Sequence, residues 1–192
     1  MLNIKIILAS TREGRFGEKP ATWIHEETNK KDGVTAELLD LKDYPLPFYN
    51  DMVTPSSIKD GAYSNEVARN WAAKIKEADA FIIVTPEYNH SMPGALKNAL
   101  DSIYSEWSNK PVGFVAYGGV GGARAVEHLR GVVIDLQMAP ISKAIHIVQP
   151  KDLLDENGNL KPGAFNIYEK RAGIFLDQLI WWANALKAAR TK

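Results

Sequence analysis

The chain alternates between short apolar runs and stretches with helical spacing, and this alternation limits the folds open to it. Five runs are strand-like, over residues 4–9, 34–41, 80–85, 112–117 and 145–148. Most of them end in a loop rich in glycine, proline or hydroxyl residues, and a helical pattern follows. Because parallel strands need long crossover connections that are usually helical, the pattern predicts an α/β fold with an open, doubly wound parallel sheet.

The helical stretches cover residues 18–29, 64–78, 93–102, 123–136 and 165–189. We expect Ser64 to be the N-cap of the second stretch. The last stretch has an apolar face made of Ile174, Leu176, Leu179, Ile180 and Ala183. Residues 42–63 contain three prolines and show no sustained period, which predicts a long surface loop.

Length and composition exclude several classes of function. With 192 residues and 45% apolar composition, the chain is long enough for one domain over residues 1–192. Its 23 basic and 23 acidic residues balance, so no overall field favours nucleic acid or an anionic membrane. It has no cysteine, so redox chemistry requires a bound cofactor. No run approaches the roughly 20 apolar residues of a membrane span, and we expect a soluble, cytoplasmic protein with a small-molecule partner.

Ligands of an open doubly wound sheet bind beyond the carboxyl ends of its strands, and the first of these positions reads STREGRFG over residues 10–17. The loop leads into a helix N-terminus, where free amides attract anions, and its hydroxyls and two arginines suit a phosphate monoester. A capped turn with solvated arginines is the alternative. No lysine–hydroxyl pair follows the glycine and no G-x-G-x-x-G is present, which argues against ATP and NAD as ligands of this loop.

Two further loops follow the third and fourth apolar runs. Residues 85–94 read TPEYNHSMPG, a composition that suits a flat heteroaromatic ring, with Pro86 and Tyr88 in apolar contact and Asn89 reaching ring heteroatoms. Residues 118–122 contain four glycines, which let backbone approach a ligand closely. Plain turns are the alternatives. An anion site next to a planar-ring platform describes a mononucleotide whose ring stays accessible.

In residues 10–15, 86–89 and 117–122 the chain resembles the NADPH-dependent FMN reductase family, a flavodoxin-like group that includes quinone, azo-dye and chromate reductases. The resemblance extends from about residue 4 to 148. It implies a five-stranded sheet of order 2-1-3-4-5 with helices on both faces. It also implies FMN as the cofactor and NADPH or NADH as the electron donor.

Carried onto this sequence, the resemblance places a set of residues around FMN. The phosphate is surrounded by Ser10, Arg12, Arg15, Phe16 and Gly17. One edge of the isoalloxazine is lined by Pro86, Glu87, Tyr88 and Asn89, and the pyrimidine side by Tyr117, Gly118 and Gly119, with Gly122 in the same loop. Gly17 stands where such proteins often carry a hydroxyl. Residues 46–51 are similar to a segment that approaches the flavin of a neighbouring subunit, which implies a homodimer or homotetramer.

The hypothesis is hydride transfer from a reduced nicotinamide through FMN to a small acceptor, which is free flavin, a quinone, an azo compound or a metal oxyanion. No side chain is assigned as a catalytic acid or base. We expect Glu87 to face solvent and His90 to be a turn histidine. The other three histidines, His25, His128 and His146, show no metal-binding spacing, so no metal is predicted.

Two other functions stay open at this point. One is a flavodoxin-like FMN-binding electron carrier without NAD(P)H oxidase activity, although the neutral charge and the loop arginines favour the enzyme. The other is a hydrolase with Ser10 as nucleophile. The hydrolase lacks both a G-x-S-x-G elbow and an Asp-x-x-His pair near the end of the chain.

Overall fold

A computed structural model describes residues 1–190, so that the last two residues of the predicted domain lie outside it. Five strands form one sheet: β1 (Leu2–Leu8), β2 (Val34–Asp40), β3 (Ala80–Pro86), β4 (Pro111–Gly118) and β5 (Ala139–Val148). They are all parallel, in the order β2-β1-β3-β4-β5. The predicted flavodoxin-like sheet is confirmed. β2 lies on one side of β1, and β3, β4 and β5 follow on the other side. The direction in which strands are added therefore reverses at β1.

Helices cover both faces of the sheet, as the resemblance implied. They are α1 (Glu18–Asn29), α2 (Glu66–Lys76), α3 (Gly94–Asp101), α4 (Ala123–Asp135) and α5 (Asn166–Arg190). The apolar residues of α2, α3 and α4 pack on one face and those of α1 and α5 on the other. None of the helices within residues 1–190 is both long enough and apolar enough to cross a membrane.

Two predictions at the β5 edge of the sheet are wrong. β5 begins at Ala139 rather than near residue 145. Its early part contains Pro140 and the exposed Ser142 and Lys143, which is tolerated because an edge strand needs only one partner. On α5, Ile174 is 49% exposed, and the buried face is completed instead by Phe175.

The segment over residues 42–63 is the predicted long surface loop, with 3₁₀ turns at Leu41–Asp43 and Pro55–Ser57. The N-cap of α2 was predicted wrongly. The side chain of Asn65 caps the helix by accepting from the Ala68 amide at 3.1 Å. The Ser64 hydroxyl instead donates to Asp51. The Asp51 carboxylate of the loop takes this hydroxyl away from the N-terminus of α2. This contact ties the loop to α2.

Candidate functional site

The loops that follow β1, β3 and β4 meet at one edge of the sheet, because these three strands are parallel neighbours. We call them the first loop (residues 10–17), the second loop (residues 86–93) and the third loop (residues 117–122). The Ser10 Oγ lies 2.8 Å from the Tyr88 hydroxyl oxygen, and the Glu87 amide donates to the Tyr117 carbonyl at 3.1 Å. The three loops selected from the sequence therefore form one site.

The first loop presents backbone amides that have no partner in the protein. Within residues 1–190, no amide from Thr11 to Glu18 donates a hydrogen bond to a backbone or side-chain acceptor. The hydrogen bonds of α1 begin only with Lys19, which donates to the Phe16 carbonyl at 3.0 Å. Free amides at a helix N-terminus carry partial positive charge, so this loop is suited to an anion.

Arg15 holds the first loop in place through its guanidinium. The residue is buried, and its guanidinium donates to the Ser10 carbonyl at 2.6 Å, to Asp40 Oδ1 at 2.8 Å and to Glu18 at 2.9 Å, with a second close contact to Asp40. Four of its five N–H donors are therefore engaged. Hydrogen bonding to Asp40 raises the pKa of Arg15. Burial alone would raise the pKa of Asp40, but the hydrogen bonds from Arg15 and the Lys42 amide hold it below its ordinary value.

Arg12 differs from Arg15 in every respect that bears on anion binding. It is exposed, and within the described part of the chain it makes no hydrogen bond or ion pair. Its whole guanidinium is available to a ligand, whereas Arg15 has one N–H to offer. Both residues stay predicted phosphate contacts, with Arg12 the more accessible.

The second loop is a tight hairpin. Tyr88 and Ser91 exchange backbone hydrogen bonds of 2.8 and 3.0 Å, and the two residues between them, Asn89 and His90, have φ angles of +49° and +68°. Positive φ at both central positions defines a type I′ turn. The turn exposes Asn89 and His90, so His90 occupies a turn as predicted.

Glu87 does not face solvent, contrary to the prediction. Its side chain is 9% exposed. One carboxylate oxygen accepts from the Arg124 amide at 3.1 Å and the other from the Arg124 guanidinium at 2.8 Å. Burial opposes its ionisation, but the hydrogen bonds from Arg124 outweigh it and lower the pKa of Glu87. Glu87 therefore caps α4 and joins the second loop to the helix that follows the third.

The glycines of the third loop serve different purposes. Gly121 and Gly122 both have φ of +70°, and a methyl group on Gly122 would lie 2.6 Å from the Ala116 Cβ. The fold itself thus requires glycine at these positions. Gly119 is exposed and its φ is not left-handed. A methyl group there would meet no atom of residues 1–190 within 4 Å. Close approach of a ligand to Gly119 stays a prediction.

The side chain of Tyr117 runs from the end of β4 toward the first loop. It is 6% exposed, and its ring packs edge-on against Phe16 with centroids 5.2 Å apart. A methyl group on Gly17 would lie 2.5 Å from the Tyr117 hydroxyl oxygen. The hydroxyl therefore lies at the first loop, while the resemblance placed Tyr117 at the pyrimidine side of the ring.

Sequence reasoning missed Asp40 and Arg124, which hold the loops in place. A signal was present for each. Asp40 ends β2, whose carboxyl end lies at the same sheet edge as the first loop. Arg124 is the second residue of α4, the helix that follows the third loop directly. Two predicted residues remain. Pro86 is buried at the end of β3 and pairs in register with Tyr117, and Gly118 ends β4, where its carbonyl accepts from the Gly121 amide at 3.0 Å.

The sheet order defines a flavodoxin-like protein, and its three converging loops include one that is suited to an anion. Residues 2–151 match the model of a family described as NADPH-dependent FMN reductase, and the chain belongs to this family. The predicted family is confirmed. The protein is accordingly an oxidoreductase of the NAD(P)H-dependent FMN reductase and quinone reductase type, with FMN as its cofactor.

Relatives agree with this assignment, and a solved structure agrees with the fold. The chain is 36% identical over 150 residues to an NAD(P)H-dependent FMN reductase of Schizosaccharomyces pombe, covering 77% of this chain and 74% of the relative. It is 42% identical over 103 residues to a 2-hydroxy-1,4-benzoquinone reductase of a Burkholderia species, covering 50% and 56%. The solved flavoenzyme FerB of Paracoccus denitrificans, an NAD(P)H:(acceptor) oxidoreductase, superimposes with a TM-score of 0.71 at 23% identity, covering 93% of this chain and 97% of FerB. The last comparison supports the fold.

Proposed function

We propose that the three loops bind FMN, with its phosphate in the first loop, and that the protein passes electrons from NAD(P)H through FMN to a small quinone. The observation that carries the proposal is the run of free amides from Thr11 to Glu18 beside the exposed Arg12. This run lies at the same sheet edge as the second and third loops. A phosphate at one end and a ring at the other match the shape of a flavin mononucleotide.

The first loop fits a phosphate because its acidic residues are already engaged. The Glu18 carboxylate accepts from Arg15 at 2.9 Å, and Glu13 pairs with Lys42 at 3.1 Å. Free amides and the Arg12 guanidinium therefore set the charge that a ligand meets. Hydrogen bonds from such groups to a phosphate are short and strong because the acceptor is ionised.

The second and third loops fit a ring that stays open to other molecules. Tyr88, Asn89 and Gly119 are all exposed, so the platform lies at the surface rather than in a closed cavity. When bound there, FMN supplies the chemistry of accepting hydride from a nicotinamide and returning electrons to an acceptor. The protein orients donor and acceptor. Glu87 is held ionised by Arg124, and we assign it no proton-transfer step.

The choice of a quinone among the possible acceptors rests on this open platform and on the relatives. A flat, diffusible molecule can stack on an exposed ring without a dedicated pocket. Relatives named 2-hydroxy-1,4-benzoquinone reductase and NAD(P)H:quinone oxidoreductase share 42% and 40% identity with the matched parts of this chain. Free flavin, azo compounds and metal oxyanions are the competing acceptors.

We propose in addition that the protein acts as a homodimer or homotetramer. The long loop over residues 42–63 displays Phe48 and Met52, of which Phe48 is 85% exposed. Apolar side chains displayed in this way are typical of an interface between subunits. Light scattering on the FMN-loaded protein and on a Phe48→Ser variant tests this, and a wild-type monomer at working concentrations contradicts it.

The experiment for the proposed activity is reconstitution with FMN, followed by steady-state oxidation of NADH and NADPH with each acceptor class. We expect kcat/KM to be largest with 1,4-benzoquinone, against free FMN, an azo dye and chromate. A protein that binds FMN but oxidises neither nicotinamide with any acceptor is an electron carrier, and the activity proposal is then wrong. A protein that binds no FMN disproves the binding proposal as well.

A further inference from the structure

Tyr117 belongs by sequence to the third loop, but its hydroxyl group lies in the first. The ring extends from β4 toward the start of α1, where it packs on Phe16, and it belongs to the same apolar cluster as Leu8. Its hydroxyl oxygen would be 2.5 Å from a methyl group on Gly17 and its Cζ 3.3 Å. A side chain at residue 17 and the Tyr117 hydroxyl therefore compete for one position.

This competition explains why residue 17 is glycine. Gly17 has φ of −56° and ψ of −25°, an ordinary helical conformation that any residue adopts. Its backbone does not require glycine, unlike that of Gly122. Glycine at this position serves to admit the hydroxyl of Tyr117 into the loop.

The surroundings of the hydroxyl are polar and positively charged. Burial raises the pKa of Tyr117, and so does the neighbouring Tyr88. A hydrogen bond with the Ser10 hydroxyl and the positive charges of Arg12 and Arg15 each oppose this rise in the pKa of the phenol without cancelling it. Tyr117 is therefore protonated near neutral pH, and its O–H is a donor.

We infer that Tyr117 is a phosphate ligand: its O–H donates to a phosphate oxygen of FMN at the Gly17 position, so that β4 supplies the hydroxyl which the first loop lacks there. The inference rests on the proposed binding of FMN. It assigns the tyrosine side chain to the phosphate and leaves contact with the ring to the backbone of Gly118 and Gly119. It also makes Tyr117 a residue that distinguishes FMN from riboflavin, which has no phosphate.

The test measures dissociation constants for FMN and for riboflavin on the apoprotein by quenching of flavin fluorescence. Tyr117→Phe should weaken FMN by about tenfold to a hundredfold, as expected for one lost hydrogen bond to a charged group. Riboflavin affinity should change by less than about twofold. An unchanged ratio of the two constants in Tyr117→Phe overturns the inference. Failure of the wild-type protein to bind FMN instead overturns the proposed function.

A matched pair of double variants separates the hydroxyl from packing. With Phe at 117, the Cβ of a serine at 17 loses its clash with the hydroxyl oxygen and keeps two close contacts, with the flexible end of Leu8 at 2.9 Å and the ring Cζ of residue 117 at 3.3 Å, which small side-chain shifts relieve. Gly17→Ser with Tyr117→Phe returns a hydroxyl to the site and should restore FMN affinity to within about fivefold of wild type. Gly17→Ala with Tyr117→Phe should not. Equal FMN affinity in the two double variants overturns the inference, and this comparison stands even if Tyr117→Phe alone is unstable.

Discussion

The first and second loops lie side by side, but their backbones are prepared for a ligand in opposite ways. In the first loop the amides from Thr11 to Glu18 have no protein acceptor within residues 1–190. In the second loop Tyr88 and Ser91 satisfy each other, and Glu87 is bonded to both Tyr117 and Arg124. Unpaired donors favour a charged ligand, while paired ones keep a loop in shape without any ligand.

This difference shows which contacts hold each loop in its conformation. The second loop is held by its own turn and by the cap of α4. The first loop has no hydrogen bonds of this kind, and it relies on Arg15, which joins the Ser10 carbonyl to Asp40 at the end of β2. We therefore expect stability and anion binding to be divided between two arginines, with Arg15 providing the first and Arg12 the second.

The largest expected effect comes from removing the support of the first loop. Arg15→Met should lower the free energy of unfolding of the apoprotein by about 3 kcal/mol, because it leaves the partly buried Asp40 without its main partner. The Asp40 side chain is 22% exposed, which places the effect at the low end for a broken buried pair. Urea unfolding measures it. In a double-mutant cycle with Asp40→Asn, a coupling below about 0.5 kcal/mol would show that the pair does not hold the loop.

If Arg15 provides stability and Arg12 binds the anion, a substitution of Arg12 should have the opposite effects on stability and binding. Arg12→Ala should weaken FMN by about 30-fold, the loss of a charged hydrogen bond, and change the free energy of unfolding by less than about 0.5 kcal/mol. Riboflavin affinity should not change. Arg12→Lys keeps the charge and should recover part of the FMN affinity. Unchanged FMN binding in Arg12→Ala would mean that the amides and Arg15 suffice, and the comparison between the arginines would fail.

The third loop allows the same division to be tested with two glycines. Gly119→Ala should weaken FMN and riboflavin equally, by about fivefold to tenfold, because the added methyl group blocks the ring, and it should leave stability unchanged. Gly122→Ala is the control, since its φ of +70° and its contact with Ala116 predict an unstable apoprotein. Thermal unfolding and the two dissociation constants distinguish them. Loss of stability in Gly119→Ala would show that the fold requires this glycine too.

The sequence predicts the parts of the molecule that local patterns determine. The start and end of α1 agree with the prediction, and the three loops were located because each follows an apolar run. The whole sheet order came from a family resemblance rather than from periodicity. The early half of β5 was missed because an edge strand with exposed Ser142 and Lys143 shows no continuous apolar run.

What the sequence does not show is which polar groups meet across long separations. Arg15 and Asp40 are 25 positions apart, and Glu87 and Arg124 are 37 apart. Arg15 and Arg12 look alike in the sequence, and only the fold separates a buried, paired guanidinium from an exposed one. The same holds for Glu87, whose neighbours in the sequence suggest solvent and whose neighbours in space are the amide and guanidinium of Arg124.

The smallest expected effect concerns this carboxylate and depends on pH. Because the pKa of Glu87 is lowered in the folded protein, its contribution to stability is present above the ordinary pKa of about 4.3 and is lost as the pH falls through the folded value. Glu87→Gln should therefore cost up to about 1 kcal/mol at pH 7 and less at pH 3. Urea unfolding at both pH values checks this, with Glu13→Gln as the control, because the Glu13 side chain is 96% exposed. If the cost is equal at both pH values, the ionised form of Glu87 does not hold the second loop to α4, and the rigidity of that loop comes from its turn alone.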